Sequence, residues 1–308
     1  MIKICLICRF KNERHILYEF VNHYLEEGFD TLYLIDNNSD DNYYNENKSW
    51  LSPLIKTKRV NITLISNLGQ VKSTNLVFNK IKNDYDWVLV CDMDEFMFAV
   101  KEKNNIKDVL ENKLSKYDYI EIPWKMFKHT NYFQPKSIIN DNVLTHEYTK
   151  DISSSSQGYK YLIKCKYVNI LKAHCVKTKN NPKMYKFKSC HNKFIQNNHY
   201  RSQSEEYLRG IKEVRGGGIH KNKYKNFNNH NNFEYQKDCD LLKLKRKNLI
   251  DKLNTREQVK PKVYINSSFY KENNNINEIQ ENFTDNKKII FIFLISFIVL
   301  FMFLLSFN

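Results

Sequence analysis

The sequence has no compact arginine-rich block, no second Cys-x-x-Cys pair and no export leader at its start, and each gap removes a reading. Its 49 Lys and Arg against 34 Asp and Glu give a formal net charge of +15. Without a basic block, that charge reads as a solvated Lys/Asn-rich surface. It is compatible with phosphate-rich partners but specific to none. No nucleic-acid-binding motif accompanies it, so no specific nucleic-acid partner is expected. The seven cysteines are odd in number and lack disulfide-like spacing. Cys5 and Cys8 lie in an apolar run with no partner pair, which excludes an ordinary four-ligand zinc site and leaves buried free thiols as the expectation. Met1 to Cys8 is apolar but short and breaks at Arg9, unlike a secretory leader.

What is present begins with a contrast at the other end. Ile289 to Phe307 is uninterrupted by charge and comes after Lys287 and Lys288. It is long enough to cross a hydrocarbon layer of about 30 Å as a helix. A membrane anchor is expected there, with the flanking lysines and the rest of the chain on the cytosolic side.

The hydrophobic patterning before it alternates. Ile2–Cys8, Thr31–Ile35, Val60–Ile65 and Trp87–Cys91 read as buried strands. Ile16–Glu27 has helical spacing, with Gly28 placed as its C-terminal cap, and Thr74–Ile81 is a short helix. This order predicts an α/β fold with a Rossmann-like, doubly wound, mostly parallel sheet. Tyr119–Trp124 and Tyr161–Val168 read as further strands. Ser202 or Ser204 caps a helix over Glu205–Val214, and Phe233–Leu253 is a basic helix. Lys221–Asn232 is a polar linker and Lys271–Asn286 a polar stalk. The expected organisation is therefore one domain over 1–218, a linker, basic helix and stalk over 219–286, and the anchor over 287–308.

In open α/β sheets, ligands bind beyond the carboxyl ends of the strands. Two strands end there in acidic clusters, Asp36-Asn37-Asn38-Ser39-Asp40-Asp41 and Asp92-Met93-Asp94-Glu95. Asp92 and Asp94, one residue apart past an apolar strand, can reach one divalent cation such as Mg²⁺ or Mn²⁺. They could equally cap a loop. Asp36 could bind a ribose hydroxyl or base edge, or simply form an Asx-turn. His199, just before the Ser-Glu-Glu helix, could complete a metal site or be structural, and His174 is a second candidate. Lys212 and Arg215 could bind phosphate or lie on a solvated helix face.

Four blocks in order resemble the GT-A glycosyltransferases of the family 2-like and family 92-like kind. They are Phe10-Lys11-Asn12-Glu13, Leu34-Ile35-Asp36-Asn37-Asn38-Ser39-Asp40, Asp86-Trp87-Val88-Leu89-Val90-Cys91-Asp92-Met93-Asp94-Glu95-Phe96, and the segment Asn198-His199-Tyr200 through Glu206-Tyr207. The resemblance covers roughly residues 1–218. It implies a GT-A fold, a nucleotide-sugar donor, usually UDP-linked, and a Mn²⁺ or Mg²⁺ ion. It places Asp36 on the nucleotide, Asp92 and Asp94 on the metal and diphosphate, Glu95 in the same signature, and His199 at the metal or diphosphate, with Lys212, the phosphate candidate, beyond the fourth block. Glu147 and His174 fall near family positions on the acceptor side, but no family 2 catalytic-base motif is present; Glu147 or Asp151 is taken as the base, and the acceptor as a hydroxyl on a glycan, protein or lipid.

Two other readings remain open on residues alone. Phosphotransferases of the haloacid dehalogenase kind also use Asp-x-Asp, but after the first strand and followed by Gly-Thr, whereas here Glu-Phe comes after a later strand. A basic, membrane-anchored RNA- or anionic-lipid-binding protein without catalysis would also carry this charge. The sequons Asn37-Asn38-Ser39 and Asn61-Ile62-Thr63 accord with a cytosolic domain, because a glycan on Asn37 would obstruct the acidic rim.

Overall fold

The computed structural model describes residues 1–101, 103–129, 131–144, 158–178, 183–188, 193–215 and 241–273. The first half alternates strand and helix as the patterning predicts: β1 (Ile4–Phe10), α1 (Leu17–Glu26), β2 (Thr31–Asp36), α2 (Tyr43–Lys56), β3 (Val60–Leu64), α3 (Gln70–Ile81) and β4 (Trp87–Cys91). Then come β5 (Glu95–Ala99), α4 (Ile106–Asn112), β6 (Tyr119–Lys128), α5 (Ile138–Asp141), β7 (Val143–Leu144), β8 (Tyr159–Lys164) and β9 (Val168–Leu171). The remainder is β10 (Val176–Thr178), β11 (Lys186–Lys188), β12 (Ile195–His199), α6 (Glu205–Tyr207), a π-helical turn over Leu208–Lys212, α7 (Glu213–Arg215), α8 (Leu241–Lys245) and α9 (Lys247–Thr255).

The strands form a mixed sheet in the order β3-β2-β1-β4-β8-β6-β12-β5. β3, β2, β1 and β4 are all parallel. The sheet is parallel-rich as expected but mixed beyond β4: β12 and β11 lie parallel to β6, whereas β8 lies antiparallel to both β4 and β6, and β12 pairs antiparallel with β5. The three residues after Cys91 lead into β5, which does not pair with β4 but lies across the sheet on β12, while β8 takes the place beside β4. β5 was not legible, since its fully buried residues show no alternation.

Both faces of the parallel half are covered, as double winding requires. Alternate β1 residues point to opposite faces: Ile4, Leu6 and Cys8 pack with Leu17, Phe20 and Tyr24 of α1, while Cys5 and Ile7 pack with Val77, Phe78 and Ile81 of α3. Three positions apart on a strand, the Cys5 and Cys8 side chains therefore diverge and share no ligand. Both are buried free thiols. Gly28 ends α1 with φ +85°, a left-handed conformation in which a side chain is strained. Two helices differ from the sequence reading. α2 was not predicted, being polar and carrying Pro53, and it buries only Asn47 and Leu51. α3 begins at Gln70 rather than Thr74.

Residues 241–273, expected within a linker, helix and stalk, return to the domain surface. The buried Arg246 guanidinium bonds Glu27, and its Nε donates to His23 Nδ1 at 3.0 Å. Tyr264 accepts from Asn12 at 2.6 Å, and Lys262 pairs with Asp40 at 3.1 Å. Isolated basic residues thus find acids on the domain, Glu27 buried and Asp40 exposed, which patterning along the chain does not reveal. No helix among the described residues is long and apolar enough to cross a membrane. The run 289–307 lies outside them.

Candidate active site

The carboxyl ends of β1, β2 and β4 meet at one rim because the three strands are parallel and in register, Cys8 beside Cys91 and Phe10 beside Asp36. Each feeds its next residues into a cleft of about 690 Å³. Asp92, Asp94 and His199 line it together with Arg9, Arg201, Lys212 and Arg215.

The turn from β4 to β5 aims Asp92 and Asp94 into the cleft, Glu95 N donating to the Asp92 carbonyl at 3.1 Å. His199 comes from β12, which pairs with β5 so that His199 sits opposite Glu95. Its Nε2 lies 3.3 Å from Asp94 Oδ1, and its Nδ1 is buried with no hydrogen-bond partner among the described residues. The Trp124 ring lies 4.6 Å from the His199 ring and 5.2 Å from that of His174. Lys212 donates to Asp94 Oδ2 at 2.6 Å. It reaches there from the π-helical turn after α6, which Ser204, rather than Ser202, caps by accepting from Tyr207 N at 3.0 Å. Arg215, one turn further, pairs with Glu13 at 2.7 Å, and Tyr207 donates to the same carboxylate oxygen.

The electrostatics separate the three acids of the signature. Burial opposes ionisation of Asp94, but Lys212 and His199 outweigh it and hold its carboxyl well below the usual range. Asp92 is likewise held low against burial, chiefly by Lys160. Its side chain stays 37% exposed to the cleft. Glu95 behaves oppositely. Fully buried beneath the cleft, its carboxyl is pushed up to about 8 by burial, with the nearby Asp92 and Asp94 charges adding to the rise against Lys160. It accepts from Asp92 N at 3.3 Å and does not line the cleft. Burial also lowers His199 despite its Asp94 neighbour, favouring the neutral imidazole.

Asp36 is buried at the end of β2 and accepts from Ser39 N at 2.7 Å, a local bond that holds the turn three residues on rather than the two of an Asx-turn, while the next residue, Asn37, lines the cleft. Glu147 and Asp151 lie outside the described residues. Sequence reading missed Lys160. Its ammonium is fully buried, 2.8 Å from Asp92 and 3.5 Å from Glu95. β8 runs antiparallel to β4, so its first residues lie at the rim where β4 ends. The only signal was a lysine near the start of an apolar strand, which is weak when Lys is common everywhere. Gln70, donating to Asp92 at 3.2 Å, carried no signal.

A divalent cation fits this donor set in kind. Two carboxylates held ionised at the mouth of a cleft, with an imidazole beside them, are ligands for Mg²⁺ or Mn²⁺. Such ions are often held by one or two carboxylates plus substrate phosphates rather than an all-protein cage. Among the described residues no group of three or more potential ligands already forms such a cage. One oxygen of each carboxylate is instead held by an ammonium group.

Among curated proteins none matches the sequence. Solved structures do. TarS from S. aureus (residues 1–349) is 12% identical over 54% of this chain and 48% of its own, with a TM-score of 0.34. A mannosyltransferase, PcManGT from Pyrobaculum calidifontis, solved with GDP-Man and Mn²⁺, is 15% identical over 39% and 35%, with a TM-score of 0.30. GalNAc-T7, solved with UDP, GalNAc and Mn²⁺, is 11% identical over 54% and 36%, with a TM-score of 0.32. This chain thus spans about half or less of the length of those proteins. The assignment comes from the sequence of the domain itself. The family model described as Glycosyltransferase family 92 matches residues 2–247, most of the chain including every described element of the cleft, and the protein belongs to that family of glycosyltransferases.

Proposed function

We propose that this glycosyltransferase moves a sugar from a nucleotide-sugar, a UDP-sugar by preference, to a hydroxyl on a glycan, protein or lipid acceptor, with a divalent cation at Asp92 and Asp94. The observation that carries the reading is the convergence of two ionised carboxylates, His199 and five cationic side chains, Arg9, Lys11, Arg201, Lys212 and Arg215, on one cleft at the carboxyl rim of parallel strands. Such a cleft suits a diphosphate, whose charge the arginines and lysines oppose.

In the reaction, the acceptor oxygen attacks the anomeric carbon as the bond from that carbon to the diphosphate oxygen breaks. Asp92 and Asp94 would hold a Mn²⁺ or Mg²⁺ ion, which supplies Lewis-acid neutralisation of the departing diphosphate. Arg201, Lys212 and Arg215 orient the diphosphate and stabilise its growing charge. Asn37 and the Asp36 turn hold the nucleoside at the β2 end. Glu147 or Asp151 takes the acceptor proton. Supporting that assignment, the segment containing both is bounded by β7, paired with β6, and by Gly158, whose carbonyl accepts from Trp124 of the cleft at 3.0 Å. Among the described residues, Glu13 is already engaged by Arg215 and Tyr207. Residues 289–307 anchor the domain to a membrane.

The test is Asp94→Asn in the full chain, assayed with a panel of nucleotide-sugars and Mn²⁺. Turnover should fall by about 10²-fold or more, with the circular dichroism spectrum unchanged. Undiminished transfer or donor hydrolysis by the folded variant refutes the assignment.

A further inference from the structure

Where the described chain ends, three aromatic rings stand in solvent. Phe133 is 59% exposed, and Tyr132 and Tyr270 are each 40% exposed. Tyr132 and Phe133 come shortly after β6, and their rings pack around Phe269, at 5.1 and 6.1 Å respectively. Scattered apolar residues on a surface need no explanation, but two adjoining exposed rings packed on Phe269, with a third exposed ring on the next residue, Tyr270, do. The patch is also held in shape. The Tyr132 carbonyl accepts from Glu206 N at 2.8 Å, and Arg209 pairs with Glu272 beside it. The last described residue, Asn273, donates to the Tyr132 hydroxyl at 3.3 Å. The patch thus adjoins residue 273, from which the sequence continues towards the apolar run.

Beyond Asn273 the sequence continues through residues 274–288 to the charge-free run 289–307, with Lys287 and Lys288 at its edge. Whatever its conformation, a connection of that length cannot span more than about 50 Å. If the apolar run enters a bilayer, Asn273 and the patch beside it stay within that reach of the lipid surface. Tyrosine and phenylalanine suit that boundary, because an apolar ring with or without a polar tip settles at the level of the headgroups. The exposed Lys271 adds a charge that favours anionic lipid.

We propose that the patch of Tyr132, Phe133 and Tyr270 is a docking surface for the interfacial layer of a phospholipid bilayer. It rests on the anchoring of residues 289–307 and adds a fixed orientation to it. The element running from Glu205 to Arg215 has the patch at its first turn and places Lys212 and Arg215 in the catalytic cleft. Docking therefore holds the cleft at a set distance from the lipid, where a hydroxyl carried by a membrane component can reach it.

The experiment is photolabelling of the full chain reconstituted into phosphatidylcholine vesicles with a minor fraction of phosphatidylserine, using a phospholipid with a photoreactive group near its headgroup. Adducts are mapped by peptide mass. Lipid adducts are expected on Tyr132, Phe133 and Tyr270 as well as on the run 289–307. The double variant Phe133→Ser, Tyr270→Ser should reduce labelling of the patch peptides about fivefold, the factor that partial burial of such a ring confers, with labelling of the run unchanged. Labelling confined to the run overturns the proposal and leaves the anchor standing. So do adducts joining the patch to a second copy of the chain. Labelling of the patch with none on the run supports the surface contact and removes the anchor, and labelling of neither removes both. The wild-type map decides the matter even where the double variant fails to fold.

Discussion

Replacing Lys160 by methionine isolates the buried charge on which the acidic signature rests. Methionine keeps the length of the stem in its slot and removes only the ammonium. In the native protein that ammonium is fully buried, 2.8 Å from Asp92 and 3.5 Å from Glu95. Removing one partner of a buried ion pair costs about 3–5 kcal/mol, because the remaining charge stays desolvated. Two features reduce that here. The Asp92 side chain is 37% exposed and can turn towards water, and Glu95, pushed up to about 8 by burial, is largely neutral at pH 7. A loss of about 2 kcal/mol is therefore expected, which lowers the melting temperature of a domain this size by about 4–8 °C. The pH dependence gives a second reading. In the native chain Asp92 is held below its usual range, so its contribution is present above about pH 4 and lost on acidification. The variant lacks that contribution, so the two melting curves should converge as the pH falls below about 4. Scanning calorimetry of both proteins from neutral to acid pH measures both effects. Equal melting temperatures at pH 7, or a gap unchanged by acid, would refute the claim that Lys160 holds the carboxylate in place.

Burial lifts Glu19 from its ordinary 4.5 to about 7, while Ser137 and the first amides of α5 bond it. With the folded value raised, its contribution is full below about pH 4.5 and lost as the pH rises through 7, so the native chain should lose about 3 kcal/mol relative to Glu19→Gln across that window in denaturant titrations. Arg246→Met removes the buried clamp of the C-terminal helices. Because Lys245 remains 3.2 Å from Glu27, the cost should be about 2–3 kcal/mol, read as faster hydrogen exchange over residues 241–255. Gly158→Ala would place a Cβ 1.9 Å from the Trp124 ring, which in turn packs on His199, so the ring must move. Transfer should fall about tenfold or more while the melting temperature changes by only a few degrees, and an unaltered rate would show that Trp124 does not position His199.

What the sequence by itself determined was whatever lies within one stretch of chain. Apolar runs marked β1, β2, β3 and β4, helical spacing marked α1, and Gly28 marked its end, because periodicity and backbone sterics act over a few residues. The order of these elements fixed a parallel first half, and parallel strands necessarily bring Asp36 and Asp92 to the same rim. Tertiary structure decided what each acid does there. Three acids in sequence received three environments: Asp94 between Lys212 and His199, Asp92 open to the cleft on Lys160, and Glu95 buried and largely neutral. The side chains that set those states come from β8, β12 and the π-helical turn, about 65 to 120 residues away along the chain. Charge, desolvation and hydrogen bonding are properties of neighbours in space, and nothing local distinguishes Lys160 or Lys212 from the many lysines that stay in water.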